Sequence, residues 1–243
     1  SSSSGINDLS DAYYNNSSLF LGSPPSNNSG SYNTAMGDGA NESNTSGNQN
    51  VAIGYEALYA NTTSSGSTAV GYQALKNNSN GGNTAVGYQS QFTSGGGYNV
   101  SLGQNSLYFN TSAHNVAIGY SSLWQNTGNS NTMVGHQSGH GITSGGYNVG
   151  VGRGTLWDLS TGSYNTTLGY NADVSSSSAS NQTVLGYNAT GQADNSVVLG
   201  NADVTAVYMA QDSGATVYAA GFVGDVTGDV TGNLTGDVTG DVT

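Results

Sequence analysis

The side chains best equipped for chemistry in this sequence are few: His114, His136 and His140, the glutamates Glu42 and Glu56, and a scatter of aspartates. His136 and His140 stand four apart, a zinc-ligand spacing only when both lie on one helical face. The segment around them, Gly135-His-Gln-Ser-Gly-His-Gly141, does not read as a helix, so both are read as loop residues. A metal gathered by one histidine from each of three chains is the remaining route to such a site. Glycan hydrolysis needs two facing carboxylates. No acidic pair recurs at fixed positions, and Glu56 stands where neighbouring copies carry Gln. The chain has no cysteine, so thiolate nucleophiles, disulfides and cysteine zinc sites are excluded. Its 38 glycines include no Gly-Lys-Ser or Gly-Lys-Thr of a phosphate loop. No catalytic residue, cofactor or metal site is therefore expected, and the protein is read as a non-enzyme. Trp124 and Trp157 are set apart because they fall at irregular places in an otherwise repetitive chain. Flat rings exposed on a surface can stack on sugars, so these two are the candidate glycan contacts.

Charge narrows the partners. Lys76 and Arg153 are the only cations among 243 residues, and the formal net charge is −12. A nucleic-acid binder needs cations to replace phosphate counterions, so that class is excluded. An anionic membrane surface would repel the chain, and no apolar run approaches the ~18 residues that span a bilayer. The hydrophobic share of 35% is placed periodically, which argues against disorder. The chain starts on Ser and stops inside a repeat, so it reads as a segment of a longer polypeptide.

The elements that position these residues are set by an internal repeat. An aliphatic residue precedes a recurring glycine in Met36-Gly37, Ile53-Gly54, Val70-Gly71, Val86-Gly87, Leu102-Gly103, Ile118-Gly119, Val134-Gly135, Val151-Gly152, Leu168-Gly169, Leu185-Gly186 and Leu199-Gly200. A degenerate first copy ends at Leu21-Gly22, and the glycine spacings run from 14 to 17. Within each copy Val or Thr alternates with a small residue and with Asn or Ser, as in Asn50-Val-Ala-Ile-Gly54. Period-two alternation predicts a strand with one apolar row and one row of small and amide groups. The glycine then allows a sharp turn at positive φ. Tyr often follows it, and a second short element such as Ala57-Leu58 or Ser122-Leu123 comes next.

A period of this length suits one coil of a β-solenoid, so the fold expected over 18–203 is all-β, with about twelve 14–17-residue coils. The aliphatic residues before the glycines are expected to line its thin core, and the Ala and Asn row to meet a neighbouring chain. The Tyr residues are expected to form a packed row along the coil edge. Residues 1–17 read as an N-terminal linker and entry segment, and 204–223 as an extended neck. Residues 224–243 form a Gly-Asp-Val-Thr repeat of period four, fit for a thin fibre. Its aspartates, such as Asp225 and Asp229, are read as a solvated acidic face rather than a calcium row.

The copies Asn83-Thr-Ala-Val-Gly-Tyr88 and Asn50-Val-Ala-Ile-Gly-Tyr55 resemble the head repeats of trimeric autotransporter adhesins. Together with Ile6-Asn-Asp-Leu-Ser-Asp11 and the Gly-Asp-Val-Thr run, the arrangement looks more like tail-fibre proteins of bacteriophages infecting cyanobacteria. The resemblance implies a left-handed parallel β-roll, a homotrimer, and a place on a virion outside the cell. It implies fibre or other virion proteins as partners, and a host surface glycan or protein as receptor. The function it implies is a rigid spacer supporting host attachment, with a bacterial surface adhesin as the alternative. An ice-binding solenoid, third in order, would need a regular Thr lattice, whereas Thr here alternates irregularly with Val.

Overall fold

The structure is a computed structural model, and it describes residues 12–22, 25 and 29–209. Two compact units divide at Thr205. The Gly-Asp-Val-Thr repeat and most of the expected neck lie outside the described residues.

The first unit is a parallel β-solenoid of about eleven turns, and no helix occurs among the described residues. Its main sheet stacks β2 (Ser18–Leu21), β3 (Thr34–Met36), β4 (Val51–Ile53), β5 (Thr68–Val70), β7 (Thr84–Val86), β9 (Val100–Leu102) and β11 (Val116–Ile118). It continues through β13 (Thr132–Val134), β14 (Val149–Val151), β15 (Thr166–Leu168), β16 (Gln182–Leu185) and β17 (Ser196–Leu199). Like positions sit in register, so Ala52 pairs with Ala69 and Ala69 with Ala85. At ~4.8 Å between strands, the twelve span ~53 Å. A narrower sheet holds the middle coils: β6 (Asn77–Asn78), β8 (Thr93–Ser94), β10 (Phe109–Asn110) and β12 (Gln125–Asn126). The second strand is thus two residues long and confined to four coils; elsewhere bends and turns take its place.

The expected linker is structured at its end. β1 (Ala12–Asn15) pairs antiparallel with β2 through the two-residue turn Asn16-Ser17. Both turn residues have positive φ, 47° and 60°, the backbone a tight hairpin requires. The hairpin covers the first edge of the main sheet, which would otherwise offer unpaired backbone groups.

The two faces of the main sheet are the reverse of those expected. The small row points inward: Ala35, Ala52, Ala69, Ala85, Ser101, Ala117, Met133, Gly150, Thr167 and Val184 lie in the interior, and all that carry a side chain are buried. The aliphatic row points outward. Met36, Ile118, Val151, Leu168 and Leu199 are exposed, Leu168 by 51%, while Ile53, Val70, Val86, Leu102, Val134 and Leu185 are half-buried. Volume explains the inversion. The small row faces a second inward column, Leu58, Leu75, Leu107, Leu123 and Leu156, across a single narrow coil. Larger branched side chains on both walls would overfill that space. The Ala and Asn rows are consequently interior, and do not form a surface for a neighbouring chain.

The buried asparagines form a hydrogen-bonded column. Asn99, Asn115 and Asn131 accept at Oδ1 from the backbone N–H of the next coil's Asn, at 2.8, 2.9 and 3.0 Å. The Nδ2 groups of Asn99 and Asn131 reach across the coil, to the Ser112 carbonyl at 2.9 Å and the Gly145 carbonyl at 2.8 Å, while Asn115 donates to Ser112 Oγ and the Ala113 carbonyl just before it. Each amide therefore satisfies a buried backbone donor and a buried acceptor in one step.

The recurring glycines turn the chain at φ between 125° and 141°, with 86° at Gly200. A Cβ on Gly135 would lie 2.2 Å from the Gly152 carbonyl oxygen in the next coil. Side chains are thus excluded by the stacking as well as by φ. Non-glycine columns also adopt the left-handed region, including Gln137 at 55° and Leu123 at 51°. Such residues cost about 1 kcal/mol each, and persist because stacking above and below fixes them.

Candidate functional site

Stacking at one strand spacing turns any repeated aromatic position into a column of rings. Three such columns run along the solenoid. The first follows the turn glycines: Tyr55, Tyr72 and Tyr88 stack at 5.3 and 5.1 Å, Tyr120 on His136 at 5.2 Å, and Tyr170 on Tyr187 at 5.6 Å. Arg153 occupies one slot, with its guanidinium 5.3 Å from the Tyr170 ring centre. These tyrosines are exposed, so they form an outer row rather than a packed edge. A second column precedes the buried asparagines and pairs Tyr98 with His114 and Tyr147 with Tyr164.

The third column follows the buried leucines and contains both tryptophans. Phe92, Tyr108, Trp124, His140 and Trp157 stack in sequence, with centroids 5.1, 6.2, 5.7 and 5.0 Å apart. Lys76 continues it, with its ammonium 5.7 Å from the Tyr59 ring centre and 5.9 Å from that of Phe92. The tryptophans are therefore regular members of a repeat. Tyr, Lys, Phe, Trp and His share one slot because each can stack a flat or cationic group on its neighbour. That shared property, rather than residue identity, was the signal in the sequence.

The two tryptophans differ in what they leave free. Trp124 has Tyr108 on one face, His140 on the other and Phe109 against its edge, so it offers no open platform. Trp157 stacks on His140 by one face only, is 43% exposed, and has no second stacked ring among the described residues. Its other face borders a cleft of about 340 Å³, lined also by Gly154, Asn171 and Asp173. The Asp173 carboxylate accepts from the Asp158 N–H at 2.9 Å and from the Val174 N–H at 2.8 Å. Burial holds its pKa above the ordinary carboxylate range, against the pull of those N–H groups.

The histidines and Glu56 have structural partners. His114 and His136 fill aromatic slots, and His140 lies between two indoles, where burial lowers its pKa. His136 and His140 belong to different columns, and no group of three His, Asp or Glu able to hold a metal occurs among the described residues. Glu56 accepts from Lys76 Nζ at 2.6 Å and from Gln73 Nε2 at 2.7 Å. The Lys76 hydrogen bond holds its pKa below the usual range, and the same bond raises that of Lys76. Nearby Glu56 also raises the pKa of Tyr55. Glu56 thus sits in a surface ion pair with Lys76.

The other extended surface is the outer face of the main sheet. One column runs through the residues before the glycines, and a parallel one holds Thr or Val, from Thr34 and Val51 to Thr183 and Val197. Comparison with protein-family models, with curated proteins and with solved structures finds no match for this chain.

Proposed function

We propose that the chain is a non-catalytic spacer segment of an extracellular fibre, assembled as a homotrimer and belonging to a virion tail fibre. One observation carries the reading: the aliphatic column faces out, uninterrupted over the stacked strands, while the coil interior is already filled. An aliphatic column ~53 Å long, flanked by a mixed Thr and Val column, is a continuous apolar stripe of the kind that marks association surfaces. Parallel chains around an axis would bury it and turn thin solenoids into one stiff rod. Three chains, and the virion, are what the repeat's resemblance to adhesin heads and phage fibres adds. The backbone ladders along the axis then supply stiffness, and the outer loops and ring columns supply the surface presented to a host.

Sedimentation equilibrium tests the assembly. The chain is expected to sediment at three times its monomer mass of 24.5 kDa. Replacing Val86 and Ile118 by Asp places carboxylates on the buried face and should yield monomers or aggregates. A stable, folded wild-type monomer at micromolar concentration would overturn the trimer. Immunogold labelling of native particles tests the virion assignment, and label absent from the appendages would refute it.

A further inference from the structure

The cleft at Trp157 is where the third ring column stops. One coil further on, the equivalent position carries no ring: Leu156 N–H bonds to the Ala172 carbonyl, which places Asp173 beneath Trp157. The indole face that would have carried the next ring is left to the cleft. Glycine makes the adjoining wall. At Gly154 a Cβ would lie 2.7 Å from Asn171 Oδ1, whereas the equivalent positions one coil back and one coil on are Gln137 and Asn171. The missing side chain therefore leaves the Asn171 amide at the cleft.

We propose that Trp157, Asp173 and Asn171 form a subsite for a neutral hexopyranose. The C–H face of a pyranose carries partial positive charge and is attracted to the negative face of an indole. Sugar hydroxyls need acceptors and donors together. The Asp173 carboxylate keeps acceptor capacity beyond what it gives to the Asp158, Val174 and Trp157 N–H groups, and the Asn171 amide offers both functions. The cleft volume, about 340 Å³, is at the scale of one small ligand. Acidic sugars are disfavoured by Asp173, by exposed Asp158 and by the net charge of −12. A quaternary ammonium would also suit an indole beside a carboxylate. The neutral amide at the wall, with no further carboxylate lining the cleft, favours hydroxyls instead.

Incorporating 5-fluorotryptophan into the full chain gives one ¹⁹F resonance per tryptophan, assigned with Trp124→Phe. Methyl β-D-glucopyranoside, methyl β-D-galactopyranoside and methyl α-D-mannopyranoside are titrated in the millimolar range. At least one should shift the Trp157 resonance saturably and leave Trp124 unmoved. Asp173→Asn should weaken binding about tenfold, the loss of a charge-assisted hydrogen bond. Gly154→Ala, which fills the wall without touching the indole, should abolish it while the melting temperature confirms folding. No saturable shift with any of the three sugars would overturn the proposal. So would a shift undiminished by Gly154→Ala, or a response to tetramethylammonium alone.

Discussion

At the scale of single residues, what decides stability is whether a buried polar atom finds its partner. Asn131 and Thr167 are both fully buried, and they stand at opposite ends of that test. Asn131 accepts from the Asn148 N–H and donates to the Gly145 carbonyl. Asn131→Ala strands two buried backbone groups, each at about 1–3 kcal/mol. Thermal or urea unfolding should show that loss, with Asn131→Ser recovering part of it, since Ser18 Oγ serves the Asn33 N–H at 2.9 Å in the first coil. Thr167 occupies a slot held by Ala in five of the twelve coils, and its Oγ1 has no hydrogen-bond partner. Thr167→Val keeps the shape and removes the unpaired hydroxyl, so it should stabilise by about 1 kcal/mol. A destabilised Thr167→Val would show that the hydroxyl is hydrogen-bonded inside the coil. Trp157 was legible as a candidate by its residue type alone. Its open face, and the acid and amide beside it, depend on the coil that follows, and no local pattern announces them.

At the scale of the element, alternation in the sequence correctly marks twelve short parallel strands and a glycine turn after each. It does not say which face is inside. The aliphatic row was expected within because Val, Ile and Leu usually are. A coil this narrow admits Ala opposite Leu, so the larger row is left outside. The exception supports this account. In the coil from Asn131 to Tyr147 the inward residue is Met133, and the facing Leu slot is Gly139. A Cβ on Gly139 would lie 2.8 Å from Met133 Cγ, and one on Gly150 in the next coil 2.8 Å from Met133 Sδ. One large side chain thus occupies space vacated by two glycines. Met133→Ala should cost about 2–5 kcal/mol, and Gly139→Leu alone should overpack by about 1–3 kcal/mol. The pair together restores Ala opposite Leu, with only Ile142, whose Cδ1 lies 3.2 Å from a Cβ at 139, left to adjust, and leucine already tolerates φ near 51° at Leu123. The double variant should therefore be more stable than either single one. Strict additivity in chemical denaturation would show that the two sites do not share one space.

At the scale of the whole molecule, every coil satisfies its neighbours through the same positions, so a coil is the natural unit of change. Residues Thr68 and Thr84 are register partners one turn apart. Deleting 69–84 joins Thr68 to Ala85 and removes one complete turn. Ala52 then faces Ala85, Tyr55 can stack on Tyr88, Tyr59 can stack on Phe92, and Glu56 keeps an amide partner in Gln89. The lost contacts are those of Lys76 with Glu56 and the rings beside it. Such a variant should fold, assemble as the wild type does, and unfold cooperatively with a slightly smaller denaturant dependence, since less surface is buried. Deleting only 77–84 removes half a turn and joins Lys76 to Ala85. The coil that starts at Ala85 would then meet the wrong wall of the coil before it, while later coils keep their own register, and the first coils, cut off from the rest, should lose protection from hydrogen exchange. If both deletions were tolerated alike, stability would not reside in coil-to-coil register, and the outward aliphatic columns would lose their claim to be a continuous assembly surface.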